Sequence, residues 1–234
     1  MFCSKLSNIL NDINNILVPR GCFGCTAPLG KGERLLCTVC RNQLPLTDYN
    51  FIDENPIDRI FYGRVYIEKA NSFLFFQDTG IVKNLIHHLK YKNQQQVGTF
   101  LGDWFGQDIR DIGLPLTIDF VVPVPLHKKK LRKRGYNQVT TFGQTLAFHL
   151  NAVYSDNILI KTANTRTQTK KNRFYRWQAT QALYKVRDLS VVTGRNVLLV
   201  DDVITTGATM EACALALSEA EDIKILIASM AVVP

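Results

Sequence analysis

RNVLLVDDVITTGATMEACALALSE, residues 195–219, is the stretch on which the reading of this chain turns. Residues 196–200 form a short run of valine and leucine, the pattern of a buried strand. Asp201 and Asp202 follow at the point where such a strand would run out at the sheet edge. Thr205, Thr206, Gly207, Ala208 and Thr209 come next, small residues and hydroxyls that let a backbone wrap closely round an anion. Thr209 is placed to cap an alanine- and leucine-rich helix over residues 210–219. Such a loop aims several backbone N–H groups at one spot with the helix dipole behind them, which suits a phosphate. Two carboxylates beside it would repel a second phosphate but suit sugar hydroxyls or a divalent cation. Phosphate at one end and a vicinal diol in the middle describe a ribose 5-phosphate. The GxxxxGK[ST] triphosphate loop and the GxGxxG dinucleotide fingerprint are both absent.

VLLVDDVITTGAT, residues 197–209, resembles the phosphoribosyl-pyrophosphate (PRPP) motif of the type I phosphoribosyltransferases. The competing reading is an ordinary strand–turn–helix whose acids face solvent. It needs two acids, three threonines and a glycine to fall in this order by coincidence.

A chain of 234 residues holds one good-sized α/β domain and a small appendage. No apolar run approaches the roughly 20 residues of a membrane span. Residues 1–19 lack a basic start and read as a short amphipathic helix rather than a signal peptide, so a cytoplasmic protein is expected. The net charge of +8 is unevenly spread: from 128 to 187 there are fourteen basic residues and the single acid Asp156. A local excess of this kind implies a polyanionic partner.

Cys22, Cys25, Cys37 and Cys40 make two CxxC pairs separated by eleven residues. Each pair puts two thiolates on one turn, and two turns give a closed tetrahedral site for Zn²⁺. So small a segment cannot bury a core of its own, and the metal would supply its folding energy. Disulfides and a redox CxxC are the alternatives; the first is disfavoured in a cytoplasmic protein and the second needs only one pair. The expected division is a zinc-finger module and linker over 1–50 and an α/β domain over 51–234. Cys3 and Cys213 stand apart, as a free thiol and a helix-packed one.

Beyond a linker at 44–58, the pattern predicts strands at 64–68 and 71–76 and helices at 79–91 and 96–109. Gly98, Gly102 and Gly106, spaced four apart, mark close helix packing. A strand at 118–122 runs through a proline-stiffened loop into KKKLRKRGYNQ, residues 128–138, a basic loop suited to pyrophosphate. A helix to residue 150, a strand at 155–161, a long polar segment and a last strand at 223–233 complete the chain. In the polar segment Arg166, Lys170, Lys171, Arg173 and Arg176 interleave with Phe174, Tyr175 and Trp177. Cations alternating with aromatics can follow a phosphate backbone and stack bases.

Taken whole, the chain resembles the ComF family, which joins a four-cysteine zinc module to a phosphoribosyltransferase-like domain. The resemblance runs through the CxxC pairs, LIHHLKYKN at 85–93, VVPVPLHKKKLRKRGYNQ at 121–138 and VLLVDDVITTGATM at 197–210. The stretch from Arg166 departs from it, lacking the family's Thr-Pro-type turn and the Asn-Val that follows. The resemblance implies an α/β fold of the type I phosphoribosyltransferase kind, a mainly parallel sheet flanked by helices. It also implies PRPP, with Mg²⁺, on Asp201, Asp202 and residues 205–209. Pyrophosphate would fall on Lys128, Lys129, Lys130, Arg132 and Arg134. A mobile lid or single-stranded DNA contact would use Arg166, Lys170, Lys171, Arg173, Arg176 and Trp177. The family is tied to DNA uptake in natural transformation, with competence-machinery proteins as partners.

A glutamine amidotransferase is not expected, because that activity needs a glutaminase domain opening on a nucleophilic cysteine. Two readings stay open. One is a DNA-handling protein with PRPP as a ligand. The other is a working phosphoribosyltransferase whose acceptor the sequence does not name.

Overall fold

Strands covered on both faces read as near-continuous apolar runs, and VLLV at 197–200 and ILIA at 225–228 are such runs at the centre of this sheet. The computed structural model describes residues 21–162 and 183–234. Its strands are β1 (Lys69–Phe75), β2 (Phe120–Pro123), β3 (Val153–Tyr154), β4 (Leu159–Lys161), β5 (Tyr184–Val186), β6 (Asn196–Ile204) and β7 (Lys224–Val232). Five of them form one sheet in the order β1-β7-β6-β2-β3, and every neighbouring pair is parallel. β4 and β5 make a separate antiparallel pair. The helices are α1 (Thr38–Asn42), α2 (Pro56–Phe61), α3 (Ile81–Tyr91), α4 (Gln96–Ile112), α5 (Lys128–Arg134), α6 (Thr140–His149) and α7 (Ala208–Leu217).

Alternate residues of β6 feed two cores. Leu198 and Val200 pack with Leu85 and Leu89 of α3, Leu101 and Phe105 of α4, and Phe142 and Leu146 of α6. Val197 and Leu199 pack with Met210, Ala214 and Leu217 of α7, Phe61 of α2, and the β4–β5 pair. The four-cysteine segment is joined to the first core through Cys22, Leu36 and Cys40.

The glycine spacing on α4 is a helix contact. A Cβ on Gly102 would lie 2.9 Å from the Phe142 carbonyl oxygen of α6, and one on Gly106 would lie 2.6 Å from the His149 ring. At Gly102 the obstacle is backbone, which cannot rotate away. Gly102→Ala is therefore expected to cost about 1–3 kcal/mol. Urea unfolding should show it as a lower midpoint at unchanged slope.

Several elements differ from the sequence expectation. Residues 64–68 are a loop, and β1 is the one strand there. The basic run is not a loop but the short helix α5, ended by Gly135 at φ 84°. Of the strand expected at 155–161 only Leu159–Lys161 is strand, in the separate pair, and the main sheet instead takes Val153–Tyr154 just before it. The linker is laid along the free edge of β1: Thr47 N–H donates to Phe73 O at 3.1 Å and Phe75 N–H to Pro45 O at 2.8 Å. Covering that edge removes a template for unwanted strand pairing.

The connection from β2 leads outward to β3, whereas that from β6 leads the other way to β7. In open α/β sheets ligands lie at the carboxyl ends of the strands where such connections diverge. Here that point falls between β2, which runs into α5, and β6, which runs into α7.

Candidate functional site

β6 does not stop before the acids. It carries Asp201 opposite Ser229 and continues to Ile204 opposite Val232. Both carboxylates therefore sit within the strand and are buried. Strand alternation sends them to opposite faces of the sheet.

Asp202 lies on the face of α3, with the Lys90 ammonium 3.0 Å from its Oδ2. That contact is one of charge without hydrogen-bond alignment, so Oδ2 is a buried acceptor with no hydrogen bond. An orphaned acceptor in the last residues of a strand is a fitting place for a sugar hydroxyl or a hydrated divalent cation. Asp201 takes the Asp202 N–H on its Oδ1 at 2.8 Å. Burial, and then the neighbouring Asp202 charge, push its carboxyl up to about 8.

Beneath Asp201 lie Lys161 and Tyr184, which the sequence did not mark as site residues, and Cys213, expected only as a helix-packed thiol. Lys161, at the end of β4, donates to the Tyr184 hydroxyl at 2.7 Å and stands 4.7 Å from that ring's centroid. Burial draws the Lys161 ammonium below its ordinary value, and the cation of Lys130 on α5 acts in the same direction. Cys213 of α7 is fully buried close to Asp201, and burial drives its thiol well up. These partners are distant in sequence, and no local pattern announces them.

Residues 205–207 turn the chain into α7. Gly207, at φ 74°, is the N-cap, and no side chain caps the helix. Thr209 thus falls inside the first turn and is not the cap. The first amides of a helix have no intrahelical partner, so those of this turn are available to an anion. Arg64 fixes the turn from outside. It donates to Thr206 O at 2.7 Å and Ile60 O at 3.0 Å, and through Nε to Glu211 Oε2 at 2.9 Å. A Cβ on Gly207 would come 2.6 Å from Ile60, so glycine is needed there for space as well as for φ. Arg64 is another residue that the sequence reading missed.

The remaining candidate residues divide three ways. Lys128, Lys129, Lys130 and Arg132 are exposed on α5, which follows β2 beside β6. Arg134 is half-buried and turned to Gln138 and the Tyr91 ring. Arg166, Lys170, Lys171, Arg173, Arg176 and Trp177, with Cys3 and the helix expected over residues 1–19, lie outside the described residues. A concavity of about 520 Å³, formed by Asp58 and the 62–69 loop, shares none of the residues of the acid pair or of 205–209.

Cys22, Cys25, Cys37 and Cys40 lie with all four Sγ atoms within 4.8 Å of one another. Cys25 Sγ and Cys37 Sγ are 3.8 Å apart. Four thiolates about 2.3 Å from a metal ion form a tetrahedron with edges of about 3.8 Å, so the donor set fits a structural metal site. The Gly24 and Cys37 N–H groups both donate to Cys22 Sγ at 3.3 Å. Burial works to raise the Cys22 thiol, but such donors outweigh it and bring it down to about 7. The knuckle is tied to α3: Asn84 Nδ2 donates to Gly24 O at 2.7 Å, and Phe23 stacks on His88 at 4.3 Å.

A parallel sheet with this switch point, an acid pair on β6 and a glycine turn into α7 define a type I phosphoribosyltransferase-like protein. Residues 140–231 match the phosphoribosyl transferase domain family. The chain is 32% identical over 198 residues to the competence protein ComFC of Bacillus subtilis, covering 85% of this chain and 78% of that protein. It is 29% identical over 213 residues to competence protein F of Haemophilus influenzae, covering 81% and 86%. It is also 29% identical over 207 residues to the DNA utilization protein YhgH of Salmonella typhi, covering 83% and 89%. The chain belongs to the ComF family. Among solved structures, the glutamine PRPP amidotransferase of B. subtilis overlays at TM-score 0.42 and 20% identity, covering 60% of this chain and 30% of that one. No role is carried over from so loose a likeness. Among the described residues no helix is long and apolar enough to cross a membrane.

Proposed function

We propose that this protein binds PRPP with Mg²⁺ at the end of β6 and single-stranded DNA on its basic face, and serves DNA uptake during competence. The observation that carries the first part is the acid pair at the switch point, with an orphaned carboxylate oxygen on Asp202 and a glycine-capped helix start five residues further along the chain. Asp201 and Asp202 would hold the ribose hydroxyls, directly or through Mg²⁺. Residues 205–209 would take the 5-phosphate, and Lys128, Lys129, Lys130, Arg132 and Arg134 the pyrophosphate. The relatives named for competence and DNA utilization, together with the basic excess, support the second part. The four cysteines would hold Zn²⁺, closing the knuckle and leaving no open position for catalysis.

The same geometry favours one further reading, a working transferase. In it the bond from the ribose C1 to pyrophosphate breaks, the leaving group is met by the α5 cations, and an acceptor nitrogen bonds to C1 and gives up its proton to the departing pyrophosphate or to water. The work would be electrostatic positioning.

Calorimetry with PRPP and Mg²⁺ on the wild type and on Asp201→Ala/Asp202→Ala tests the site. Saturable binding lost in the double variant is expected. Equal binding in both would remove the acids from the site, and no binding by folded wild type would remove PRPP.

A further inference from the structure

Two of the long acid-free segments of this chain meet in the fold. No acid occurs between Asp78 and Asp103, and none between Asp119 and Asp156. The fold brings the basic ends of these segments together. α3 finishes with Lys90, Tyr91 and Lys92, and α5 is the run Lys128–Arg134. They are joined where the Tyr136 hydroxyl donates to the carbonyl of Leu89.

At the centre of the junction is Tyr91, 68% exposed. Its ring is not loose. His87, one turn earlier, lies 5.1 Å from it centroid to centroid, and the Arg134 guanidinium stands 5.8 Å from the centroid. Arg134 is itself held by a hydrogen bond to Gln138 Oε1. The result is an outward-facing aromatic ring between His87 and Arg134, next in sequence to Lys92 and close to the end of the helix that carries Lys128, Lys129, Lys130, Arg132 and Lys133.

An exposed tyrosine alone needs no explanation, and a charge run is commonly a solvated face. An aromatic platform between two acid-free, cation-rich elements is a different object. Every base has a π-face, and single-strand binders combine such platforms with a positive track for the backbone. In a duplex the faces of the bases are already stacked on one another. The chemistry that fits is therefore an unpaired polynucleotide.

We infer that Tyr91, flanked by His87 and Arg134, is a base-stacking platform for single-stranded DNA, and that Lys92 and the exposed cations of α5 hold the phosphates on either side. This inference rests on the single-stranded DNA reading above and locates it on described residues, apart from the 166–177 segment. It also puts the platform on the same helix as Lys90, which contacts Asp202.

Fluorescence anisotropy of a labelled oligothymidylate with the full chain tests it. Tyr91→Ala is expected to weaken binding roughly 5- to 100-fold, while Tyr91→Phe and Tyr91→Trp stay within about twofold of wild type, since the ring and not the hydroxyl is used. The slope of log affinity against log salt should be unchanged in Tyr91→Ala. In Lys92→Ala it should fall by about 0.7, one phosphate contact on a single strand. A duplex of the same length should bind more weakly and be indifferent to Tyr91→Ala. Wild-type protein that binds the oligonucleotide, with Tyr91→Ala binding equally well, overturns the platform and leaves the DNA reading standing. Failure of the wild type to bind overturns both. Loss of binding in Tyr91→Phe as well as Tyr91→Ala also overturns the platform, since stacking survives that change.

Discussion

Asp201→Asn is expected to make the protein more stable and to deprive it of PRPP. The native carboxyl is buried beside Asp202 and titrates at about 8, whereas in the unfolded chain it titrates near the ordinary value of about 3.9. Between those values the folded state keeps a proton that the unfolded state gives up. The stabilising proton uptake is therefore complete below about pH 4 and is lost as pH rises towards 8. Asparagine keeps the shape and removes the titration. The variant should accordingly show a flatter stability profile from pH 5 to pH 8, and a gain of about 1–2 kcal/mol at the upper end. At about pH 8 and above, where the carboxyl has given up its proton, a carboxylate bound to a sugar hydroxyl contributes about 1.5–3 kcal/mol per charge-assisted hydrogen bond, so PRPP affinity should there drop roughly 10- to 100-fold. Thermal unfolding across that pH range and calorimetry on the same preparations check both halves. A variant that is less stable than wild type at pH 8 would mean that Asp201 is stabilised by partners stronger than Lys90 and Lys161.

The second large effect concerns the knuckle. One zinc ion per chain is expected by elemental analysis, and Cys22→Ser or Cys40→Ser should abolish it. Both thiols are buried, at 2% and 3% exposure, in the core that also holds Phe73, Leu85 and Phe105. Structural zinc contributes about 10–16 kcal/mol to the folding of isolated fingers, as much as the whole stability of an ordinary domain. Removing it should loosen the knuckle and expose the apolar ends of α3 and α4 that it covers. A strong chelator should lower the melting temperature by about 10 °C or more, and added zinc should restore it. An unchanged melting temperature after the metal is stripped would show that the fold does not draw on it.

What the sequence disclosed and withheld follows from the range of the interactions involved. The cysteine pairs, the apolar run of β6 and the glycine turn are local signals, and each was readable. The extension of β6 past the acids was not, because it is set by pairing with the apolar β7 from Asp201↔Ser229 to Ile204↔Val232. The basic run read as a loop because of its like charges. Lysine and arginine are nevertheless good helix formers, His127 caps the run through Nδ1, and Gly135 ends it. Arg64, Lys90, Lys161 and Tyr184 reach the site from other elements, and Arg64 meets Glu211 across 147 residues of chain. Such partners have no sequence signature.

The sheet order sets a timetable for synthesis. β7 lies between β1 and β6, and the hydroxyls of Ser72 and Ser229 hydrogen-bond at 2.8 Å although 157 residues separate them. β1 leaves the ribosome early, with only the strap at 45–47 to cover one of its edges. At about 5–20 residues per second its other edge waits roughly ten to thirty seconds for β7. During that interval an apolar strand with one open side is a substrate for chaperones and for its own kind on neighbouring ribosomes. A slowly translated message would lengthen that exposure, so codon choice downstream of β1 should affect the yield of native protein.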